Sequence, residues 1–310
     1  MICAESFGCS GKAPFGETRL FAGIAGLSGL GDYSRLAGSN LIFSVDRISR
    51  CSSSWKEFAE IAFAHASRDL EVGFGLPVHA LVCFEFGEDT QPEDRTELVR
   101  SVYDAASSRN IELGKCHSAK TLSDVTSLVI ALVGEGSLRP AKPSSRGMVW
   151  ISGQIGFSKL LYLEGMKQKP NQHPIAKILA KPLNLRRFHE QFSVLSDVSG
   201  HALAGCLCDL AERETVAIEV KLSARLAASP DVLEVPVSLL ENSLDDYSCS
   251  RLAISNPALR LSLLKETAGP IVAFSAELAE CESEELESFG WQNIGSFERA
   301  TASVSIGWVE

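Results

Sequence analysis

Apolar and polar positions in the first half of the chain change between the spacing of strands and the spacing of helices. The apolar runs Leu41–Asp46 and Pro77–Phe86 are typical of buried strands, and the first run ends in an acid. Between them, Trp55–Asp69 places its apolar side chains on one face of a predicted helix. Pro92–Arg109 follows as an amphipathic helix with proline and acids in its first turn. Two further strands are predicted, at Ile111–Gly114 and Thr126–Val133.

The second half repeats this mixture of elements after a polar, proline-containing connector, Leu138–Gly147. Its predicted strands are Met148–Ser152, Val216–Leu222 and Pro270–Ala276. Its predicted helices are Phe157–Lys167 and Val198–Arg213, and Ser196-Asp197 provides a cap for the second helix. Strands that alternate with helices indicate mixed α/β and α+β architecture.

The pattern divides the chain into an arm and two domains. Residues 1–27 are rich in small residues and are expected to form a Gly-rich flexible arm. Residues 28–138 form the predicted N-terminal α/β domain, and residues 147–310 form the predicted C-terminal α+β domain. A length of 310 residues is ample for two hydrophobic cores.

Composition and charge exclude several classes of protein. The content is 45% hydrophobic and 22% charged, as in ordinary globular domains. A net charge of −10 without a basic run argues against nucleic-acid binding. Nine scattered cysteines without a CxxC pair argue against a disulfide scaffold and a structural zinc site. Without a signal peptide or a membrane-spanning stretch, we expect a cytoplasmic protein that does not contact membrane.

Four local patterns occur in an order that matches one family. They are Gly8-Cys9-Ser10-Gly11-Lys12; Gly29-Leu30-Gly31-Asp32 with Ser44-Val45-Asp46; the segment 62–69 (AFAHASRD) with 73–77 (GFGLP); and Ser196-Asp197-Val198-Ser199-Gly200. The weaker patterns Gly114-Lys115-Cys116-His117-Ser118 and Glu266-Thr267-Ala268-Gly269 follow the same order.

These patterns resemble the selenophosphate synthetase family of the aminoimidazole ribonucleotide synthetase superfamily, over roughly Gly8 to Gly295. In that family the corresponding motifs include Gly-Asp-Asp-Ala, Asn-Ala-x-Ser-Asp, Gly-Gly-His-Ser and Thr-Asp-Val-Thr-Gly. The resemblance implies a two-domain fold in which two N-terminal sheets pair into a barrel across a homodimer. It also implies ATP and Mg²⁺ as cofactors, and phosphoryl transfer to a small inorganic substrate such as a selenium or sulfur nucleophile.

The resemblance also implies roles for individual residues. Cys9 is expected to hold or deliver the soft nucleophile, and Lys12 to contact the phosphates. The expected metal ligands are Asp46, Asp69 and Asp197. The expected nucleotide-contacting residues are Asp32, His65, His117 and Ser118. Taken singly, an aspartate is more often a helix cap or a turn residue than a metal ligand, and a histidine is more often a structural residue.

Several departures from the family pattern leave three hypotheses open. The second acid of Gly-Asp-Asp-Ala is Tyr33, which cannot replace a carboxylate on Mg²⁺ at neutral pH. The Asn of the third motif is His65, and Lys115 and Cys116 replace two glycines. The chain is therefore a selenophosphate-synthetase-like enzyme, a phosphotransferase with another acceptor, or a catalytically degenerate paralogue that regulates or scaffolds a partner.

Overall fold

The computed structural model describes residues 31–166, 174–234 and 256–309, together with positions 17, 18, 20 and 24. Cys9, Lys12 and nearly all of the predicted arm lie outside the described residues. The N-terminal elements are β1 (Ser34–Arg35), β2 (Leu41–Ser49), α1 (Trp55–Glu71), β3 (Leu76–Phe86), α2 (Pro92–Ser107), β4 (Glu112–Lys120) and β5 (Ser127–Glu135). The C-terminal elements are β6 (Arg146–Ile151), α3 (Phe157–Met166), α4 (Pro174–Leu179), β7 (Phe192–Asp197), α5 (Ala202–Glu214), β8 (Val216–Leu222), α6 (Pro257–Ser262), β9 (Ile271–Ser275), α7 (Glu280–Ser288), β10 (Gln292–Arg299) and β11 (Ser303–Trp308).

The N-terminal strands form a five-stranded sheet in the order β1-β2-β5-β3-β4. Only β3 and β4 run parallel in it, and α2 makes the crossover between them. Alternate side chains of the central strands, such as Ile42, Val82 and Ile130, are buried beneath α1 and α2. The opposite face of this sheet is open and carries exposed apolar side chains, including Val45 and Leu81.

The C-terminal strands form a six-stranded sheet in the order β11-β8-β10-β6-β9-β7. It is antiparallel except for the β8–β11 pair. Apolar residues of α5 and α6, among them Leu207 and Leu261, form a core with strand residues such as Val149 and Val220. A Cβ on Gly147 would meet the backbone oxygen of Ser275, so the close approach of β6 and β9 requires glycine there.

The hydrophobic cores do not follow the boundary between the halves. Two helices that come after the connector pack into the core of the N-terminal half. Leu161 and Tyr162 of α3 and Ile175 of α4 pack with the apolar residues of α1 and α2. Arg109 strengthens this contact by donating from Nη2 to the backbone oxygens of Glu60 and Ala180, at 3.1 and 2.7 Å. The helices of segment 157–179 thus join the two halves, and the predicted domain bounds stay a prediction.

Most predicted elements are present, with different ends. Strand β2 continues three residues past Asp46, because Arg47, Ile48 and Ser49 keep pairing with β5. Asp46 therefore lies inside the strand rather than at its end. The predicted cap at Ser196-Asp197 is wrong: Asp197 is the last residue of β7, paired with Ile271, and α5 begins only at Ala202. Among the described residues, no helix has the length and apolar character needed to cross a membrane.

Candidate functional site

Four aspartates reach one region from separate elements of both halves. Asp32 lies just before β1, Asp46 in β2, Asp69 near the end of α1 and Asp197 at the end of β7. Asp46 occupies a position on the buried face of β2, in the alternation that also buries Ile48. The N-terminal domain therefore contributes three acids and the C-terminal domain contributes one.

The carboxylates are close enough for shared binding of a cation. One oxygen each from Asp32, Asp69 and Asp197 lies within 4.8 Å of the other two. Asp46 lies behind this group and shares a side-chain hydrogen bond with Asp69. Ser196 Oγ donates to Asp32 Oδ1 at 3.4 Å, so Asp32 is tied to β7 beside Asp197. Hard carboxylate oxygens in such a group are the ligands that Mg²⁺ prefers.

The electrostatic effect of this clustering falls mainly on Asp69. Burial raises the pKa of the Asp69 carboxyl well above its ordinary value, and the charges of Asp46, Asp197 and Asp32 raise it further. The hydrogen bond between Asp46 and Asp69 requires a proton between two carboxyl groups. A divalent cation at the cluster would displace that proton, so cation binding and proton release are coupled.

His65 lies inside the protein beneath the aspartates, with 1% of its surface exposed. Its Nδ1 accepts the backbone N–H of Ala268 at 3.1 Å, so Nδ1 is unprotonated and the neutral ring carries its proton on Nε2. Nε2 lies 3.8 Å from Asp46 Oδ1. His65 therefore connects α1 of the first domain to the segment before β9 and faces Asp46. It lies in the core, and its expected contact with a nucleotide stays a prediction.

Tyr33 occupies a packing position beside the cluster. Its ring lies over Gly73, where a Cβ would meet ring atoms at 2.8–3.0 Å, and the Arg35 guanidinium lies 5.4 Å from its centroid. The Tyr33 side chain thus packs between the first strand and the end of α1. A carboxylate at this position would lose that packing.

His117 and Ser118 lie on β4, the edge strand, and both are exposed. His117 pairs with Cys83 of β3 and lies on the open face of the N-terminal sheet, with Leu81 and Val129. Within one chain, the structure does not bring these two residues to the aspartates. Their predicted contact with a nucleotide remains a prediction, as do the roles of Cys9 and Lys12.

One cavity borders the aspartate cluster, and a second lies beside Arg68, the residue before Asp69. The larger, of about 400 Å³, is lined by Asp32, Tyr33, Arg35 and Arg213, among others. The smaller, of about 220 Å³, lies between the domains and is lined by Arg68, Lys181 and Glu266, among others. The larger cavity falls within the usual volume range of small-molecule sites, about 300–1,000 Å³, and the smaller falls below it.

Sequence reasoning missed the buried ionic groups around these cavities. Glu266 is 1% exposed and accepts the backbone N–H of Gly156 and, at 3.1 Å, that of Ser158 at the start of α3. Burial raises the pKa of Glu266 and lowers the pKa of Lys159 to about 8. Arg68 is 4% exposed, and burial lowers its pKa to about 10. A charge inside the otherwise apolar run of α1 was the available signal for Arg68.

The fold matches solved structures over almost the whole chain. Thiamine monophosphate kinase from Aquifex aeolicus covers 94% of this chain, with 96% of its own length matched, at a TM-score of 0.67 and 18% identity. HypE in the HypE–HypF complex covers 94% with 95% of its own length matched, at a TM-score of 0.66 and 18% identity. The chain thus has the mixed α/β fold with two sheets that these structures share. The predicted fold class is confirmed, whereas pairing of two sheets into a barrel stays a prediction.

The same fold carries nucleotides in related structures. AaThiL complexed with AMPPCP and TMP matches at a TM-score of 0.68 and 17% identity, over 96% of this chain and 94% of its own. HypE in complex with ATP matches at a TM-score of 0.62 and 16% identity, over 90% of this chain and 85% of its own. No family model matches the sequence. No curated protein matches it either.

Proposed function

We propose that this protein is an ATP- and Mg²⁺-dependent phosphotransferase. The observation that carries the proposal is the convergence of Asp32, Asp69 and Asp197 within 4.8 Å at the domain boundary. Structures of the same fold complexed with ATP or with AMPPCP support a nucleotide as the phosphoryl donor.

The residues present fit a magnesium site. All the candidate ligands are carboxylates, and Oδ2 of the buried Asp197 has no hydrogen-bond partner within the described residues. Asp32, Asp69 and Asp197 would hold the ion, and Asp46 would lie beside Asp69 without the proton that the two share in the metal-free protein. When bound, Mg²⁺ supplies positive charge that offsets the charge of a triphosphate.

The chain itself orients the carboxylates of the proposed site and excludes water from their surroundings. Ser196 holds the carboxylate of Asp32 beside β7 by a hydrogen bond, so this ligand is already oriented when the ligands assemble. Acids from both domains contribute to the cluster, so it forms only when the halves are held together. We place the nucleotide in the larger cavity beside Asp32, because the smaller cavity lies below the range of nucleotide-sized sites.

The acceptor in this proposal is a small selenium or sulfur nucleophile. Support comes from Cys9 and Lys12, which repeat the spacing of the resembled loop. A thiolate beside an ammonium group is a suitable carrier for such an atom. Hydroselenide and hydrosulfide should therefore raise the rate of ATP consumption, and Cys9→Ser should remove this increase without weakening nucleotide binding.

A second candidate function is a catalytically degenerate paralogue that regulates or scaffolds a partner. The observation that favours it is Tyr33, whose ring packs on Gly73 where the resembled family places an acid. Under this alternative, the protein binds nucleotide without turnover. Measurable Mg²⁺-dependent ATP hydrolysis or phosphoryl transfer that Asp69→Asn abolishes would exclude it.

The deciding experiment is calorimetric titration with AMPPCP in the presence and absence of Mg²⁺. Wild-type protein should bind the nucleotide only with Mg²⁺, and Asp69→Asn should lose this dependence. Asp104→Asn is the matched control, because Asp104 is exposed on α2 away from the cluster. Equal binding by wild type and Asp69→Asn would refute the proposed site.

We also propose a homodimer that forms through the open face of the N-terminal sheet. Val45 and Leu81 on this face are 67% and 45% exposed, and Val129 and Ala131 lie beside Leu81. A contiguous apolar sheet face of this kind is expected to be covered in solution. The dimer would bring the exposed β4, with His117 and Ser118, against a second copy of the chain.

A further inference from the structure

The smaller cavity between the domains is lined in part by basic side chains. Arg68 comes from α1, one residue before Asp69, and Lys181 comes from the segment after α4. Residues 152–154 after β6, residues 268–270 before β9, Glu266 and several apolar residues also line it. The cavity therefore combines two basic side chains with one buried acid and a largely apolar wall.

The side chain of Arg68 is buried, and not all of its N–H groups have hydrogen-bond acceptors among the described residues. Its Nη2 donates to the backbone oxygen of Leu179 at 3.3 Å, and its Nε has no hydrogen-bond partner among the described residues. Within the same ranges, no carboxylate forms a contact ion pair with the guanidinium. A guanidinium that is 96% buried is costly unless a further group satisfies it, and the cavity opens against this side chain.

No acid near Arg68 forms a contact ion pair with it among the described residues, although Oε2 of Glu71 and Oδ2 of Asp197 have no hydrogen-bond partner there. Glu266, which also lines the cavity, accepts the backbone N–H groups of Gly156 and Ser158. Glu71 accepts a backbone hydrogen bond from Leu183. Asp197 belongs to the aspartate cluster. The guanidinium is thus attracted by the charges of these acids, and its buried Nε–H has no acceptor among the described residues.

We infer that this cleft is an oxyanion subsite, which binds a phosphate or carboxylate group. This inference goes beyond the proposed function, because it assigns the cleft to an oxyanion that binds in addition to the soft nucleophile and not to that nucleophile itself. A guanidinium offers a planar pair of N–H donors that matches two oxygens of one anion, and Lys181 adds a second cation. Hydroselenide and hydrosulfide are anions but lack the two oxygens that such a fork recognises. The small volume suits one anionic group rather than a nucleotide.

The test is calorimetric titration of the full chain with inorganic phosphate while Mg²⁺ and AMPPCP are present to occupy the nucleotide site. Glycerol 3-phosphate and hydrosulfide are titrated in parallel. Wild-type protein should bind phosphate or the phosphomonoester, and Arg68→Gln should weaken that binding about tenfold or more, as expected for a lost charge-assisted contact. Lys181→Gln should weaken it by a smaller factor, since Lys181 is exposed at the rim.

Arg109→Gln is the matched control. Arg109 also donates to a backbone oxygen at the end of α4, that of Ala180, but it does not line the cavity. The subsite is supported if Arg109→Gln binds phosphate as wild type does and Arg68→Gln does not. Three results would overturn the subsite. They are no binding of phosphate to wild-type protein, binding of phosphate to both Arg68→Gln and Lys181→Gln as tight as to wild type, or binding of hydrosulfide alone. If Arg68→Gln does not fold, Lys181→Gln decides.

The two proposals fail separately. AMPPCP binding is measured first, and its absence would reject the proposed function. Phosphate is then titrated without nucleotide, where dependence on Arg68 would still establish the anion site. Conversely, normal AMPPCP binding with no phosphate binding would reject only the subsite.

Discussion

Replacing Asp69 with asparagine should stabilise the metal-free protein at neutral pH while removing its response to Mg²⁺. In the folded protein, burial and the neighbouring acids raise the pKa of Asp69 above its ordinary value of 3.8. The folded state therefore holds a proton that the unfolded state has already lost. Stability must fall as the pH rises from the unfolded pKa toward the folded pKa. The substituted asparagine cannot ionise, and its amide can still donate to Asp46, so the variant avoids this loss.

The size of the effect follows from the pKa of Asp69. Each unit by which it exceeds the ordinary value costs the folded protein about 1.4 kcal/mol once the pH exceeds both values. For chains of this order of size, 1 kcal/mol corresponds to a shift in Tm of about 2–4 °C. Mg²⁺ at a hundredfold excess over its Kd should in turn stabilise wild type by about 2.7 kcal/mol.

Thermal unfolding measured from pH 4 to pH 8, with and without Mg²⁺, tests this reasoning. The Tm of Asp69→Asn should exceed that of wild type at pH 8 without metal, and the difference should shrink toward pH 4. Added Mg²⁺ should raise only the wild-type Tm. Asp104→Asn should follow wild type throughout. A variant that is less stable than wild type at pH 8, or that gains equally from Mg²⁺, would refute the account of the cluster.

Three further predictions test other parts of the structure. Glu266→Ala should destabilise the fold by about 1–3 kcal/mol, measured by urea unfolding, because the buried N–H groups of Gly156 and Ser158 lose their acceptor; an unchanged midpoint would contradict this. Val45→Glu should convert the proposed dimer to monomer in light scattering, whereas Val99→Glu, which is similarly apolar but on α2, should not. His65→Ala should lower the free energy of unfolding by about 1–3 kcal/mol, because the N–H of Ala268 loses its acceptor. His65→Asn should restore part of this stability, and equal Tm values for the two variants would contradict the interdomain hydrogen bond.

The elements with strong periodicity could be predicted from sequence, and those held by tertiary pairing could not. The helix Trp55–Glu71 has an N-cap at Ser54 and a continuous buried run, both of which are visible in the sequence. Strand β10 contains only two large apolar residues and is held between β6 and β8, so its sequence carries little signal. Similarly, β4 extends to Lys120 because it pairs with β3, although all but one of its residues are exposed.

The aspartates of the site were predictable because each lies in a local motif, but their arrangement was not. Asp46 was predicted as a metal ligand, and the structure places it behind Asp69, while Asp32 takes the position nearer to Asp197. Which acid faces the shared space depends on the packing of β2 under α1 and on Ser196, and neither is a local property. Arg68 and Glu266 were missed for the same reason, since the contacts that define them join residues about a hundred positions apart.

The energetics of the cluster favour a ligand-binding function over a passive fold. Four carboxyl groups converge in a mostly buried space, and Arg68 makes no contact ion pair with the described acids. Burial of acids near one another is unfavourable in the free protein, and apolar side chains of similar volume would be better tolerated there. Such strain is expected where a bound cation or substrate supplies the missing charge. The cleft beside Arg68 would attract an anion, and the aspartate cluster would attract a cation. A metal-bound phosphate donor at the cluster and an oxyanion in the cleft would supply these charges.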